Sequence, residues 1–246
     1  MSGGTSNALT LAVVAIVPIV VLMLTSFVKV SVVLALLRNA IGSTDAPSGL
    51  VVMGISLVLT FFVMAPVAVD MIEAASAEPV PKPPGGTEPP VSAPPAGSAG
   101  TGSGALRPVD VEAAIRTLVP ADQQPQVDRA VRGIEPLRVF LTRHAAARDR
   151  ETFTAVSQRM GRATRGDELW VLAPAFLSTE LREAFAIAVL IFIPFLVIDL
   201  VVGLGLASLG LSTTSPQTVA LPLKLLLFVA VDGWRLLLES LLRGYV

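Results

Sequence analysis

Four charged residues stand inside runs of otherwise apolar sequence: Lys29, Asp199, Lys224 and Asp232. A charge near the middle of a bilayer costs about 2.5–3.5 kcal/mol on insertion scales, so each needs water, an interface or a partner of opposite sign. The chemistry open to such residues is ion pairing or the lining of a path through a membrane. Asp199 precedes a polar turn, STTSPQ (Ser212–Gln217), and Lys224 follows it. A chain folded back at that turn carries both to similar depth, so they are expected to pair, within one subunit or between neighbours. Removing one partner from a dry site would cost on the order of 3–5 kcal/mol. Lys29 and Lys224 have a plainer option, extending their ammonium groups to an interface along apolar stems; the short Asp199 does this poorly. Arg143 and Glu180 form a second candidate pair, each beside an apolar face, with two solvated surface charges as the competing reading.

Little else in the chain could make or break bonds. Cysteine is absent, which excludes disulfides, thiol catalysis and cysteine metal sites. His144 is the only histidine and has neither an Asp–Ser pair nor metal ligands at suitable spacing, so it reads as a helix-surface residue. There is no P-loop and no nucleophile–base set. No catalytic residue, metal or cofactor is therefore expected, and the chain does not read as an enzyme. A net charge of −1 implies no general attraction to nucleic acid.

The elements that must position these charges follow from where charge is missing. Leu9–Leu37, Leu50–Ile72, Ala184–Leu211 and Val219–Leu242 are long apolar stretches, each exceeding the roughly 20 residues that a helix needs to cross a bilayer. The composition, 53% hydrophobic and 15% charged, disfavours a soluble domain of this length. MSGGTSNALT has no Lys or Arg ahead of its apolar run, so the first stretch is expected to be retained rather than cleaved. The expected fold is an all-α membrane protein in which two long apolar helical hairpins flank a mostly helical polar domain.

The domains expected are an N-terminal hairpin (1–77), a disordered Pro/Gly/Ser linker (78–106), a polar helical domain (107–173) and a C-terminal hairpin (174–246) with its turn at 211–218. Arg38 with Asn39 or Gly42 suits a helix C-terminus, and Ser43–Ser48 a short turn. Pro18 and Pro66 should kink their helices. Proline-rich polar sequence from Glu78 to Gly104 cannot bury enough apolar surface to fold. In the polar domain, helices are expected over about 110–118 and, as one longer element, from Ile134 to Met160, where Leu137, Phe140, Leu141, His144, Ala147 and Arg148 follow the helical period. Gly203 and Ala207 make a small-x-x-x-small face fit for close helix contact. Trp170 and Trp234 suit an interfacial belt, and Phe192, Phe195 and Phe228 read as packing residues. Arg38 and Lys224 beside the short turns favour the cytoplasm there, which places the middle domain on the periplasmic side; Arg235 and Arg243 argue the other way.

Three stretches resemble one family: TSFVKVSVVLALLRNAIG (Thr25–Gly42), PAFLSTELREAFAIAVLIFIPFLVIDLVV (Pro174–Val202) and SPQTVALPLKLLLFVAVDGW (Ser215–Trp234). Together with the apolar stretch through Ala65–Val67 they are similar to the FliP family, whose members serve flagellar export and, as SctR, virulence-associated type III secretion. TSFVKVSVVLALLRNA looks closer to the virulence branch. The resemblance implies a structural and gating subunit of the export apparatus in the bacterial inner membrane, a multi-pass protein at the base of the secretion apparatus. It implies about five copies in a helical cone that encloses a channel for unfolded protein, joined by a small two-helix subunit and one related larger subunit. Larger export-gate proteins and unfolded secreted proteins are the further partners implied. In such an assembly the apolar hairpins can be lifted out of ordinary spanning positions.

Two departures stand out. The family's methionine-rich loop between the last two helices, a flexible apolar gasket, is matched here by Gly210, Leu211, Ser212, Thr213, Thr214, Ser215 and Pro216. Hydroxyls in place of thioethers hold water more readily, so either this gate loop seals less tightly or another layer makes the seal. The Pro/Gly linker is also longer than the family's usual connection. The alternative function weighed is a free-standing small-solute transporter or channel, which would work without partner subunits.

Overall fold

The computed structural model describes residues 21–42, 48–77, 124–162, 164–211 and 213–245. The linker, the helix expected over 110–118, Pro18, most of the Ser43–Ser48 turn and Ser212 lie outside the described residues. Every regular element described is a helix: α1 (Phe27–Ile41), α2 (Gly49–Ser76), α3 (Gln124–His144), α4 (Ala147–Arg159), α5 (Leu169–Ser208), α6 (Pro216–Ala230) and α7 (Gly233–Leu242).

Helix α5 is the axis. Its 40 residues give a length of about 60 Å, and α1, α3, α4 and α6 all pack on it, while α2 lies against α1 and α3. Two apolar cores divide its length. One joins α3 to the first turns of α5 through Leu137, Phe140, Leu141, Leu172, Ala175 and Phe176. The other joins α1 to the middle of α5, α6 and α7 through Val33, Leu34, Leu37, Ala184, Phe195 and Phe228. Phe195 and Phe228 are thus core residues, with Phe192 packed against them.

The apolar stretches are interrupted where local hydrogen bonding or turn geometry offers an alternative to helix. The first breaks at Leu24–Ser26: the Thr25 hydroxyl donates to the Leu22 carbonyl at 2.6 Å and accepts the Phe27 N–H at 3.3 Å, a competition that Ser and Thr routinely make. Gly42, at φ 83°, closes α1 in the left-handed conformation. The last stretch breaks at Val231–Asp232, because Asp232 adopts φ 53° and stands between α6 and α7. Two helices are left that are long and apolar enough to cross a membrane among the described residues, α2 and α5. Only 17% and 11% of their most apolar windows are buried. A core helix of a soluble protein would be mostly covered, so these present their apolar faces outward.

The single helix expected over Ile134–Met160 is two. Ala146 is extended (φ −59°, ψ 140°) and its N–H donates to the Thr179 hydroxyl on α5 at 3.0 Å. A tertiary acceptor replaces the helical one, and the apolar period, continuous across the break, gives no sign of it. Helix α5 also begins earlier than its apolar run: it passes unbroken through Pro174, where the C-terminal hairpin was expected to start.

Candidate functional site

The charges set in apolar surroundings meet on α5 at two levels. At the upper level, α1 buries Val33 and Leu37 on one stripe, and Lys29 falls on that stripe one turn earlier. It therefore points inward and is 1% exposed. Its ammonium lies 3.2 Å from Glu180 Oε1 and 2.7 Å from Glu183 Oε2. Glu180 is as buried as the lysine, whereas Glu183 is half open. Tyr245 completes the group. The Tyr245 hydroxyl donates to Glu180 Oε2, and the Lys29 ammonium stands 4.2 Å from the centroid of its ring, within range of a favourable cation–π contact. The Phe140 ring lies nearly parallel to that of Tyr245, with centroids 6.3 Å apart, and the His144 ring lies 5.5 Å away. A Cβ at Gly244 would come within 2.8 Å of the Lys29 ammonium, so a larger residue there would displace the end of that side chain. Burial, reinforced by the Glu180 charge, holds the Tyr245 hydroxyl well above the ordinary tyrosine pKa. Burial also pulls His144 below its usual value, against the Phe140 carbonyl 2.8 Å from its Nδ1.

Beside this group Asp149 of α4 accepts from Arg182 at 2.7 Å and from the Thr179 hydroxyl at 2.6 Å. The same hydroxyl accepts the Ala146 N–H, so the break between α3 and α4 and the ion pair are one construction. Ser26, fully buried a turn before Lys29, has a hydroxyl without a hydrogen-bond partner among the described residues.

At the lower level Lys224 of α6 donates to Asp199 Oδ2 at 2.7 Å and to the Ala40 carbonyl at 3.1 Å. The lysine side chain is 7% exposed and the aspartate 42%. Ala40 belongs to the last turn of α1, where carbonyls lack helical partners and the helix dipole favours a cation. Lys224 thus ties three helices together, and neither lysine reaches out to an interface along its stem.

The other expected residues are placed differently. Arg143 is exposed and makes no ion pair with Glu180 among the described residues; Lys29 and Tyr245 take that carboxylate instead. Asp232 is exposed and its work is conformational, turning the chain between α6 and α7. Gly210, at φ 71°, ends α5: its N–H donates to Ala207 O at 3.1 Å and that of Leu211 to Leu206 O at 3.0 Å, the paired bonds of a Schellman cap. Leu211, Thr213, Thr214, Ser215 and Pro216 are exposed, and Pro216 opens α6. A Cβ at Gly203 would meet nothing within 4 Å among the described residues. Trp234 is 43% exposed against the edge of Phe228. Glu183, Tyr245, Asp149, Thr179 and Arg182 escaped the sequence reading. Glu180 and Glu183 do stand one turn apart at the head of an apolar run, a pairing that invites a cation; no spacing links Tyr245 to them.

Described elements that are all helical, with two outward-facing apolar helices and with lysines neutralised inside the core, suit a membrane protein. The family model described as the FliP family matches residues 10–84 and 106–241, passing over the heart of the Pro/Gly stretch. The chain is 37% identical to "Pathogenicity-related ORF2" of Xanthomonas campestris pv. glycines, over 94% of this chain and 91% of that one. It is 35% identical to the hypersensitivity response secretion protein HrcR of Ralstonia nicotianae, over 94% and 93%. It is also 37% identical to the flagellar biosynthetic protein FliP of Pectobacterium carotovorum, over 93% of this chain and 73% of that protein. The chain belongs to the FliP family.

Proposed function

We propose that this protein is a structural and gating subunit of a type III secretion export apparatus in the bacterial inner membrane. Its observed relatives are components of virulence-type secretion and of flagellar biosynthesis. The observation that carries the reading is the uncovered apolar surface of α2 and α5. Leu190, Leu200, Val201 and Leu204 of α5 are 62–71% exposed, and Phe61 and Phe62 of α2 are 76% and 70% exposed. An interior that pairs its charges beside an exterior that leaves large side chains bare fits a subunit completed by lipid and by neighbours.

In this reading about five copies form a helical cone with a small two-helix subunit and one related larger subunit. Residues 210–216 form the constriction through which unfolded protein passes. The two hairpins at 1–77 and 174–246 carry the assembly contacts, and the polar domain at 107–173 faces the periplasm. Support for the constriction comes from the Schellman cap at Gly210, which ends α5 just before the exposed Leu211, Thr213, Thr214 and Ser215. Native mass spectrometry of the solubilised protein, co-expressed with its neighbouring export genes and then alone, tests this. A homo-oligomer that captures the small subunits supports it. A monomer or dimer indifferent to them overturns it, and solute flux in liposomes would then favour a free-standing transporter.

A further inference from the structure

A second polar site lies apart from the paired charges. Between α4 and the segment that leads into α5 is a cleft of about 350 Å³, lined by Arg150, Glu151, Thr154 and Gln158 of α4 and by Arg165 and Gly166 opposite. Residues 150, 154 and 158 share one face of α4.

The facing wall is held in place. The Glu168 carboxylate accepts from the Thr164 hydroxyl and from the N–H groups of Arg165 and Gly166, both at 2.9 Å. Burial works against this charge, but those hydrogen bonds outweigh it and keep the carboxyl below its usual range. Gly166 has φ 91°, and a Cβ there would stand 2.9 Å from Thr154 Oγ1. The loop therefore presses on α4 at a spot where only glycine fits.

Neither Arg150 nor Arg165 forms an ion pair among the described residues, and the Arg150 Nε is buried with no acceptor. From 147 to 166 the sequence has five arginines against Asp149 and Glu151, and Asp149 is already held by Arg182 and Thr179.

We propose that this cleft docks an acidic peptide segment of a partner protein, with Arg150 and Arg165 taking its carboxylates. The forked guanidinium suits a carboxylate in two-point contact. The volume far exceeds the roughly 30 Å³ share of one water, so there is room for side chains rather than a lone small ion. The lining adds Thr154 and Gln158, whose hydroxyl and amide can pair with the backbone amides of a peptide. Glu151, on the rim, opposes an acidic guest and tempers its affinity. The inference stands on the cleft alone and does not depend on the export reading.

The test is fluorescence anisotropy of a fluorescein-labelled oligo-glutamate peptide titrated with the full-length protein in detergent micelles. Saturable binding that weakens with salt is expected. Arg150→Gln and Arg165→Gln should each weaken it about tenfold, the loss of a charge-assisted contact. Glu151→Gln should tighten it, a sign that misfolding cannot produce. The proposal is overturned by an absence of saturable binding, or by equal affinity in wild type and both arginine variants. It is also overturned if inorganic phosphate displaces the peptide as well as unlabelled peptide does, or if only phosphatidylglycerol vesicles displace it; these would assign the cleft to small anions or to lipid.

Discussion

The two lysine sites on α5 are built from the same pair of charges and differ in what surrounds the acid. Lys29 and Glu180 are both 1% exposed, and a tyrosine hydroxyl fills the carboxylate's remaining need. Lys224 is equally enclosed, but Asp199 is 42% exposed, and the lysine's second partner is a backbone carbonyl at the end of α1. A buried pair is costly to break because the survivor is left charged without water, whereas a half-open acid is screened. The first site should therefore lock the fold. The second should hold α1, α5 and α6 in register while tolerating change in its acid.

The sharpest way to break this contrast is Lys29→Ala, which strands Glu180 in the core. It should destabilise the protein by about 3–5 kcal/mol, read as loss of folded protein in denaturant titrations in micelles. A cost as small as that of Asp199→Asn would remove the distinction between the sites. Tyr245→Phe should cost about 1–3 kcal/mol, the usual result of leaving a buried acceptor without its donor. Tyr245 is the only tyrosine, so tyrosinate absorbance reports it directly. With its pKa raised by burial and by Glu180, the folded protein should show no tyrosinate step near the ordinary value of about 10. The sign follows: this contribution is complete below the unfolded-state value and declines as pH rises above it. A step at the ordinary value in folded protein would place the ring in water.

At the second site, Gly42→Ala forces a Cβ into the left-handed cap of α1 beside Lys224. The expected loss is about 1 kcal/mol, seen as a shift in the denaturation midpoint. Smallest is Asp199→Asn, at about 0–1 kcal/mol, since its carboxylate is half open and an amide still offers the lysine an oxygen. Its interest lies in assembly. If complexes and secretion are unchanged in that variant, Asp199 has no role between subunits.

The reach of the sequence is clearest residue by residue. Lys224 and Asp199 could be matched because one turn relates them, and folding back at a turn fixes depth without knowledge of the rest. Lys29 could not be matched. Its acids lie some 150 residues along the chain, and an amphipathic period marks which face is inward without saying what it meets. Arg143 shows the same limit: proximity to an apolar face made it a candidate for Glu180, yet its side chain leaves the helix on the exposed side. The break at Ala145–Ala146 was hidden because Thr179, the acceptor that makes it, belongs to another helix. At Asp232 the carboxylate suggested a buried charge, while the backbone uses the residue to turn.

The sequence by itself determined the all-helical class, the membrane-like apolar surface and a helix end near Asn39–Gly42, which follow from composition, period and local capping and need only neighbouring residues; the family was legible in the resemblance of three long stretches. Tertiary structure alone decided that Lys29 faces Glu180 and Glu183, that Tyr245 closes over them, and that Arg150 and Arg165 border one cleft. Such pairings depend on which helices pack and at what rotation. That is set by the summed fit of many apolar side chains, each individually too weak to be read from the sequence.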